Sequence, residues 1–167
     1  MNFRLSQKLN NKIKCGPLAA SPLDENPYAD WSARLFTADR TQYIILSHTQ
    51  SLYSTVLYGR GITSDHEFIV RALSSIREFM QDDGLEFIYR QFVAPASGSV
   101  RFCKALNRSV TGSMNELVMA AKGWLTPGNL SPHDVAFKLN GFLLSALASE
   151  TSADYGTPRE AFTRLRA

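Results

Sequence analysis

Cysteine is scarce in this chain. Cys15 and Cys103 are the two among 167 residues, too few to staple a disulfide scaffold and too far apart for a paired zinc motif. A reducing, cytoplasmic setting is the expectation. No apolar run approaches the roughly 18–20 residues needed to cross a bilayer, and the N-terminus alternates charge with leucine where a signal peptide would be continuously apolar. A soluble protein without a membrane partner is therefore expected. Histidine is equally sparse: His48, His66 and His133 stand in separate segments with no HxH or HxxxH spacing and no neighbouring cysteine, so the expectation is no metal and no cofactor. The charge excess is small. Eighteen Lys and Arg face fifteen Asp and Glu, and the resulting +3 demands no obligate nucleic-acid or membrane partner. GxxxxGK[ST] and GxSxG are both missing, which removes the phosphate loop and the nucleophile elbow.

What is present is 44% hydrophobic residues, enough in a chain of this length to bury about two-thirds of the unfolded surface around one core. The expectation is one α+β domain over residues 1–150 and a loosely docked tail over 151–167. Asn2 to Leu5 reads as a strand, after which Ser6 caps a helix running to Lys14, with Leu5, Leu9 and Ile13 repeating at i+4. Cys15, Gly16 and Pro17 end that helix. A long irregular loop, with Pro22 and Pro27, follows to Asp30.

Ser32 to Ala38 and Gln42 to His48 flank Asp39-Arg40-Thr41 as a hairpin, and Leu52 to Tyr58 adds a third strand. The unbroken Tyr43-Ile44-Ile45-Leu46 predicts a strand covered on both faces. Ser64 and Glu67 have capping-box spacing and open a helix to Asp83; Leu85 to Val93 reads as another, shorter helix. Val100 to Leu106 alternates as a strand. Ser113 with Glu116 repeats the capping box for a helix to Leu125, and Ser131-Pro132 starts one reaching Leu147. The assembled expectation is a mainly antiparallel sheet of about four or five strands packed with about four or five helices. Ile44, Leu46, Val56 and Phe102 belong to its core.

The densest polar stretch runs from Asn107 to Asn115 between a strand and a helix. Unpaired backbone N–H groups at a helix start can hold a phosphate or carboxylate, and Arg108 would add a forked cation. The alternative is a folding motif in which Asn107 and Ser109 tie down a turn and Ser113 merely caps the helix.

With LSQKLNNKI at the start and ALNRSVTGSMNEL here, the chain resembles an uncharacterised family of small bacterial domains of unknown function. That family carries an Asn-Arg-Ser-Val-x-Gly-Ser-Met-Asn signature between a strand and a helix, and residues 107–115 match it throughout. The resemblance spans roughly residues 3 to 145. It implies a shared α+β fold and a common ligand site at Asn107, Arg108, Ser109, Gly112, Ser113 and Asn115, but no activity. Some relatives are joined to a domain typical of plasmid and mobile-element proteins. Residues 22–30 and the tail past Thr151 look particular to this chain.

Three functions follow as expectations. The first is a non-enzymatic binding or regulatory module whose 107–115 turn takes an anionic small molecule or a protein partner. The second is a nucleic-acid-binding accessory protein: Arg4, Lys8, Lys12 and Lys14 put four cations in the first fourteen residues with no acid among them, and Arg101 and Lys104 would extend the patch. The third is a small hydrolase or transferase that clamps a phosphorylated ligand with Arg108 and the helix start. For that third reading no base or nucleophile stands out. Cys103 reads as a small buried hydrophobe, whereas Cys15, beside Lys12 and Lys14, reads as more exposed with its thiolate favoured. Surplus aromatics, Tyr53, Tyr58 and Trp124, suggest a homodimer.

Overall fold

Side chains along a strand alternate between faces, so four consecutive apolar residues in one strand need cover on both. The computed structural model, which describes residues 1–126, 130–147 and 155–166, supplies that cover for Tyr43 to Leu46. Strand β3 (Thr41–His48) lies between β2 (Asp30–Ala38) and β4 (Ser54–Tyr58), antiparallel to both. The β2–β3 turn uses Asp39 and Arg40, both at positive φ, as a tight hairpin turn requires.

The rest of the sheet runs the other way round. β1 (Asn2–Leu5) pairs parallel with β2, and β5 (Arg101–Lys104) pairs parallel with β1, giving the order β4-β3-β2-β1-β5. The fold is α+β as expected, while the sheet is mixed and not mainly antiparallel. Each parallel pairing is made by a strand that returns through a helical crossover, which local sequence pattern does not reveal.

Ile44 and Leu46, with Phe3, Leu5, Trp31 and Ala33, face one core. That core is closed by α1 (Gln7–Ile13), α2 (Asp65–Asp82) and the segment 86–96. Tyr43 and Ile45, with Phe36, Ala38 and Val56, face the other, under α5 (Arg108–Leu125) and α6 (Pro132–Asn140). The Ser64–Glu67 capping box of α2 forms as its spacing predicts. Segment 86–96 is less regular than one short helix: α3 (Glu86–Ile88) passes through a π turn (Tyr89–Val93) into α4 (Ala94–Ala96). Pro95, which has no N–H, interrupts the helical ladder there.

Two helix boundaries differ from expectation. α5 starts at Arg108, five residues early, because the Asn107 side chain caps it by accepting from Val110 N at 2.9 Å. Asn is as good a cap as Ser, and Ser113 is left inside the helix. α6 stops at Asn140, short of Leu147, and the Asn140 amide turns to the edge of β4, accepting from Ser54 N and donating to Ser54 O, both at 2.7 Å.

The expected stop at Pro127-Gly128 and the first part of the tail lie outside the described residues. From residue 155 onward the expected loose end holds α7 (Pro158–Thr163), whose Phe162 is 0% exposed among Tyr28, Trp31, His48 and Tyr53. Arg159 pairs with Asp83 beyond the end of α2. Among the described residues no helix is long and apolar enough to cross a membrane.

Candidate functional site

β1 and β5 are adjacent and parallel, and each feeds directly into a helix. β1 leads through the cap Ser6 into α1 on one face of the sheet; β5 leads through Asn107 into α5 on the opposite face. Where neighbouring parallel strands send their connections to opposite faces, a crevice opens beyond their carboxyl ends, and ligands of open sheets bind there. The crevice exists: a cleft of about 1000 Å³ lies between α1 and α5.

Its walls are Ser6, Gln7, Asn10, Asn11 and Lys14 from the α1 side and Val110, Thr111 and Met114 from α5, with Arg34 and Lys104 at its floor and edge. No carboxylate is among the described residues that line it. Lys14, Arg34 and Lys104 form no ion pair among the described residues. The fourth cation on its lining, Arg4, is not free. Its side chain is 1% exposed and holds Asp30 by Nε to Oδ1 at 2.7 Å and Nη2 to Oδ2 at 2.8 Å, while donating also to the carbonyls of Ser21 and Pro22. Burial pushes the Asp30 pKa up, but hydrogen bonds from Arg4, Thr49 and Asn2 outweigh it and hold the carboxyl below its ordinary range. Arg4 therefore fastens β1 to β2 and to the 20s loop, which removes it from the expected phosphate-contacting set.

Asn10 adds a polar group of another kind. Its Nδ2 donates to Gly16 O at 2.9 Å, which fixes the amide orientation, and its buried Oδ1 has no hydrogen-bond partner among the described residues. Turning the amide over would set two oxygens against each other. The α1 wall thus carries an unmatched acceptor, a condition that costs about 1–3 kcal/mol.

The nonapeptide is not a turn but the cap and first two turns of α5. Asn107 is the cap; Arg108, Ser109 and Gly112 are exposed, Ser113 is buried, and Asn115 is exposed on the next cleft along the helix. Its cleft-facing members are Val110, Thr111 and Met114. Arg108 makes no ion pair among the described residues and stands free beside the cleft wall.

The basic residues divide. Lys14 and Lys104 reach the cleft, Lys8 the adjoining one, and Lys12 donates to Gln42 Oε1 at 2.9 Å. Arg101 lies elsewhere, beside Asp24 and Glu25. Sequence reading missed Arg34 and Asn10. An arginine in the middle of a strand, between Ala33 and Leu35, was the available signal for the first; the second has none, because its role depends on Gly16 approaching from outside the helix.

The remaining candidates take structural places. Cys103 is buried in β5. Cys15 is half-buried, and burial followed by the Asp65 charge raises its pKa, so the thiolate is disfavoured where the sequence suggested the reverse. His48 is buried, with Nδ1 accepting from Ser51 N and Nε2 donating to Pro27 O; burial lowers its pKa to about 4. His133 contacts Asp82 at 3.0 Å, and His66 is exposed in the first turn of α2. Of the three aromatics on which a homodimer was expected, Tyr53 is buried, Trp124 is half-buried with Lys138 over its ring, and Tyr58 is exposed.

No curated protein and no solved structure matches this chain. Residues 2–161 match the family described as a domain of unknown function, DUF6933, a span that takes in residues 22–30 and reaches α7. Both walls of the cleft lie inside that span, and the chain belongs to the DUF6933 family.

Proposed function

We propose that this protein is a non-enzymatic binding module whose α1/α5 cleft receives an anionic ligand. The observation that carries the reading is the electrostatic one. Three cations that form no ion pair among the described residues, Lys14, Arg34 and Lys104, converge on a cleft at the carboxyl ends of parallel strands, and none of the described residues lining it is a carboxylate. Their charge is uncompensated until an anion enters. The start of α5 adds the positive end of an 18-residue helix. The 107–115 segment contributes to the wall of this site through Val110, Thr111 and Met114, and the exposed Arg108 two residues before Val110 forms no ion pair among the described residues. Catalysis by the same site is the weaker reading. The described residues of the lining offer no carboxylate, imidazole or thiol to act as a general base. Two unpaired thiols suit a reducing, cytoplasmic setting.

Titration calorimetry with inorganic pyrophosphate at low salt tests the reading. Binding should weaken as salt rises and drop at least tenfold in the double variant Arg34→Glu/Lys104→Glu. Equal heats for the wild type and that variant, or none for either, would overturn it.

A further inference from the structure

The first cleft does not end where β1 ends. β1 pairs with β2 only as far as Leu5 opposite Ala33, and β2 continues to Ala38. Residues 34–38 thus have no strand beside them on the β1 side among the described residues. A second cleft of about 760 Å³ lies along this edge and shares Ser6, Gln7 and Arg34 with the first, so the two form one trough.

The direction of the backbone groups can be read from the register. Ala33 O accepts from Ser6 N on the β1 side. Pairing with β3 is unbroken from Trp31 to Ala38, and a strand residue sends its N–H and C=O the same way, alternating along the chain. Leu35 and Thr37 therefore present their N–H and C=O into the trough, and both line it. Lys8 and Lys122 stand on its two walls, and the described residues of its lining, like those of the first cleft, include no carboxylate. Arg108, Asn115 and Lys122 are spaced by seven residues, nearly two turns, so they share one stripe of α5.

From these features we infer that the trough docks an extended acidic peptide, which adds as a strand along residues 34–38 of β2. This rests on the anion-binding reading of the cleft and names its ligand as a protein segment. Main-chain hydrogen bonds to Leu35 and Thr37 give the affinity, and the basic walls select the charge, the usual division of labour in strand addition. The free edge spans about 16 Å at roughly 3.3 Å per residue, the length of a five-residue segment. A single-stranded nucleic acid fits less well, because it needs exposed rings on which bases stack. Among the described residues, the one aromatic on the lining of the two clefts is Phe36, which is 6% exposed.

The test uses a blocked peptide of alternating Glu and Val, the same peptide N-methylated at alternate residues, an oligothymidylate of about twelve nucleotides, and pyrophosphate. The unmodified peptide should bind, and binding should slow hydrogen exchange at the Leu35 and Thr37 amides. N-methylation of the peptide should weaken binding at least tenfold, and Lys8→Gln/Lys122→Gln should weaken peptide binding by a larger factor than it weakens pyrophosphate binding at Arg34 and Lys104. Pyrophosphate binding without peptide binding would overturn the inference and leave the anion cleft standing. Binding of neither would overturn both. Equal affinity for the N-methylated peptide, or tighter binding of the oligothymidylate than of the peptide, would also overturn the inference.

Discussion

Replacing Arg4 by leucine is expected to cost about 3–5 kcal/mol, the range for removing one partner of a buried pair. The side chain is 1% exposed, Asp30 is 2%, and the guanidinium also serves Ser21 and Pro22 carbonyls that would lose donors. Asn2 Nδ2 and Asp24 N would still reach the carboxylate, at 3.1 Å each, but neither carries a charge. A domain of this size has a total stability of about 5–15 kcal/mol, so the variant should stand near the edge of folding. The sign with pH follows. In the wild type the Asp30 pKa is depressed, so its contribution is present above the ordinary carboxyl pKa and is lost as pH falls through the folded value. Without Arg4 the carboxyl becomes an unpaired buried acid with a raised pKa. The penalty should then shrink as pH drops toward 4, and Asp30→Asn should recover part of it at neutral pH. Urea denaturation followed by circular dichroism, at pH 7 and near pH 4, measures all three quantities. A loss below about 1 kcal/mol, or no recovery from Asp30→Asn, would refute the reasoning.

Phe162→Ala should destabilise by about 3–5 kcal/mol, as for other large-to-small core changes, because the ring is fully buried against Tyr53 and Trp31; a thermal melt unchanged from wild type would show that α7 is not part of the core. Asn107→Ala should cost about 1 kcal/mol by removing the cap of α5, while Ser113→Ala should cost less than about 0.5; the reverse order in chemical denaturation would place the helix start at Ser113. His48 is held neutral, with its pKa lowered from 6.5 to about 4. Its contribution is therefore complete above pH 6.5 and falls by about 3 kcal/mol as pH drops to 4. His48→Gln should flatten the stability profile across that window.

Much of the fold was legible where one residue pattern admits one explanation. Four apolar residues at 43–46 require a strand covered twice, and Ser64 with Glu67 before an apolar stripe requires a helix start. The β2–β3 turn was legible from the polar Asp39-Arg40-Thr41 between two strand-like runs. Strand direction was not, since nothing in Asn2–Leu5 or Arg101–Lys104 says whether a neighbour runs parallel. The start of α5 was misread because Asn107 and Ser113 both offer a cap, and the competition is decided by whether Val110 and Met114 find a core to face. The packing of α7 had no local signal: Phe162 stands in a largely polar stretch, and the rings it packs on, Tyr28, Trp31 and Tyr53, are more than a hundred residues away in sequence. The candidate site was legible in place and not in detail. The nonapeptide does border the cleft, yet it does so through Val110, Thr111 and Met114; of the cations that face the cavity, Lys14 and Lys104 belong to the basic set read from the sequence, while Arg34 comes from β2, far from the nonapeptide in sequence.

Amide chemical-shift mapping during a pyrophosphate titration is the most direct test of the anion-binding cleft. The account predicts shifts concentrated at residues 6–14, 34, 104–106 and 108–114, fading as salt is added. Shifts confined to another surface, or none at millimolar ligand, would contradict it.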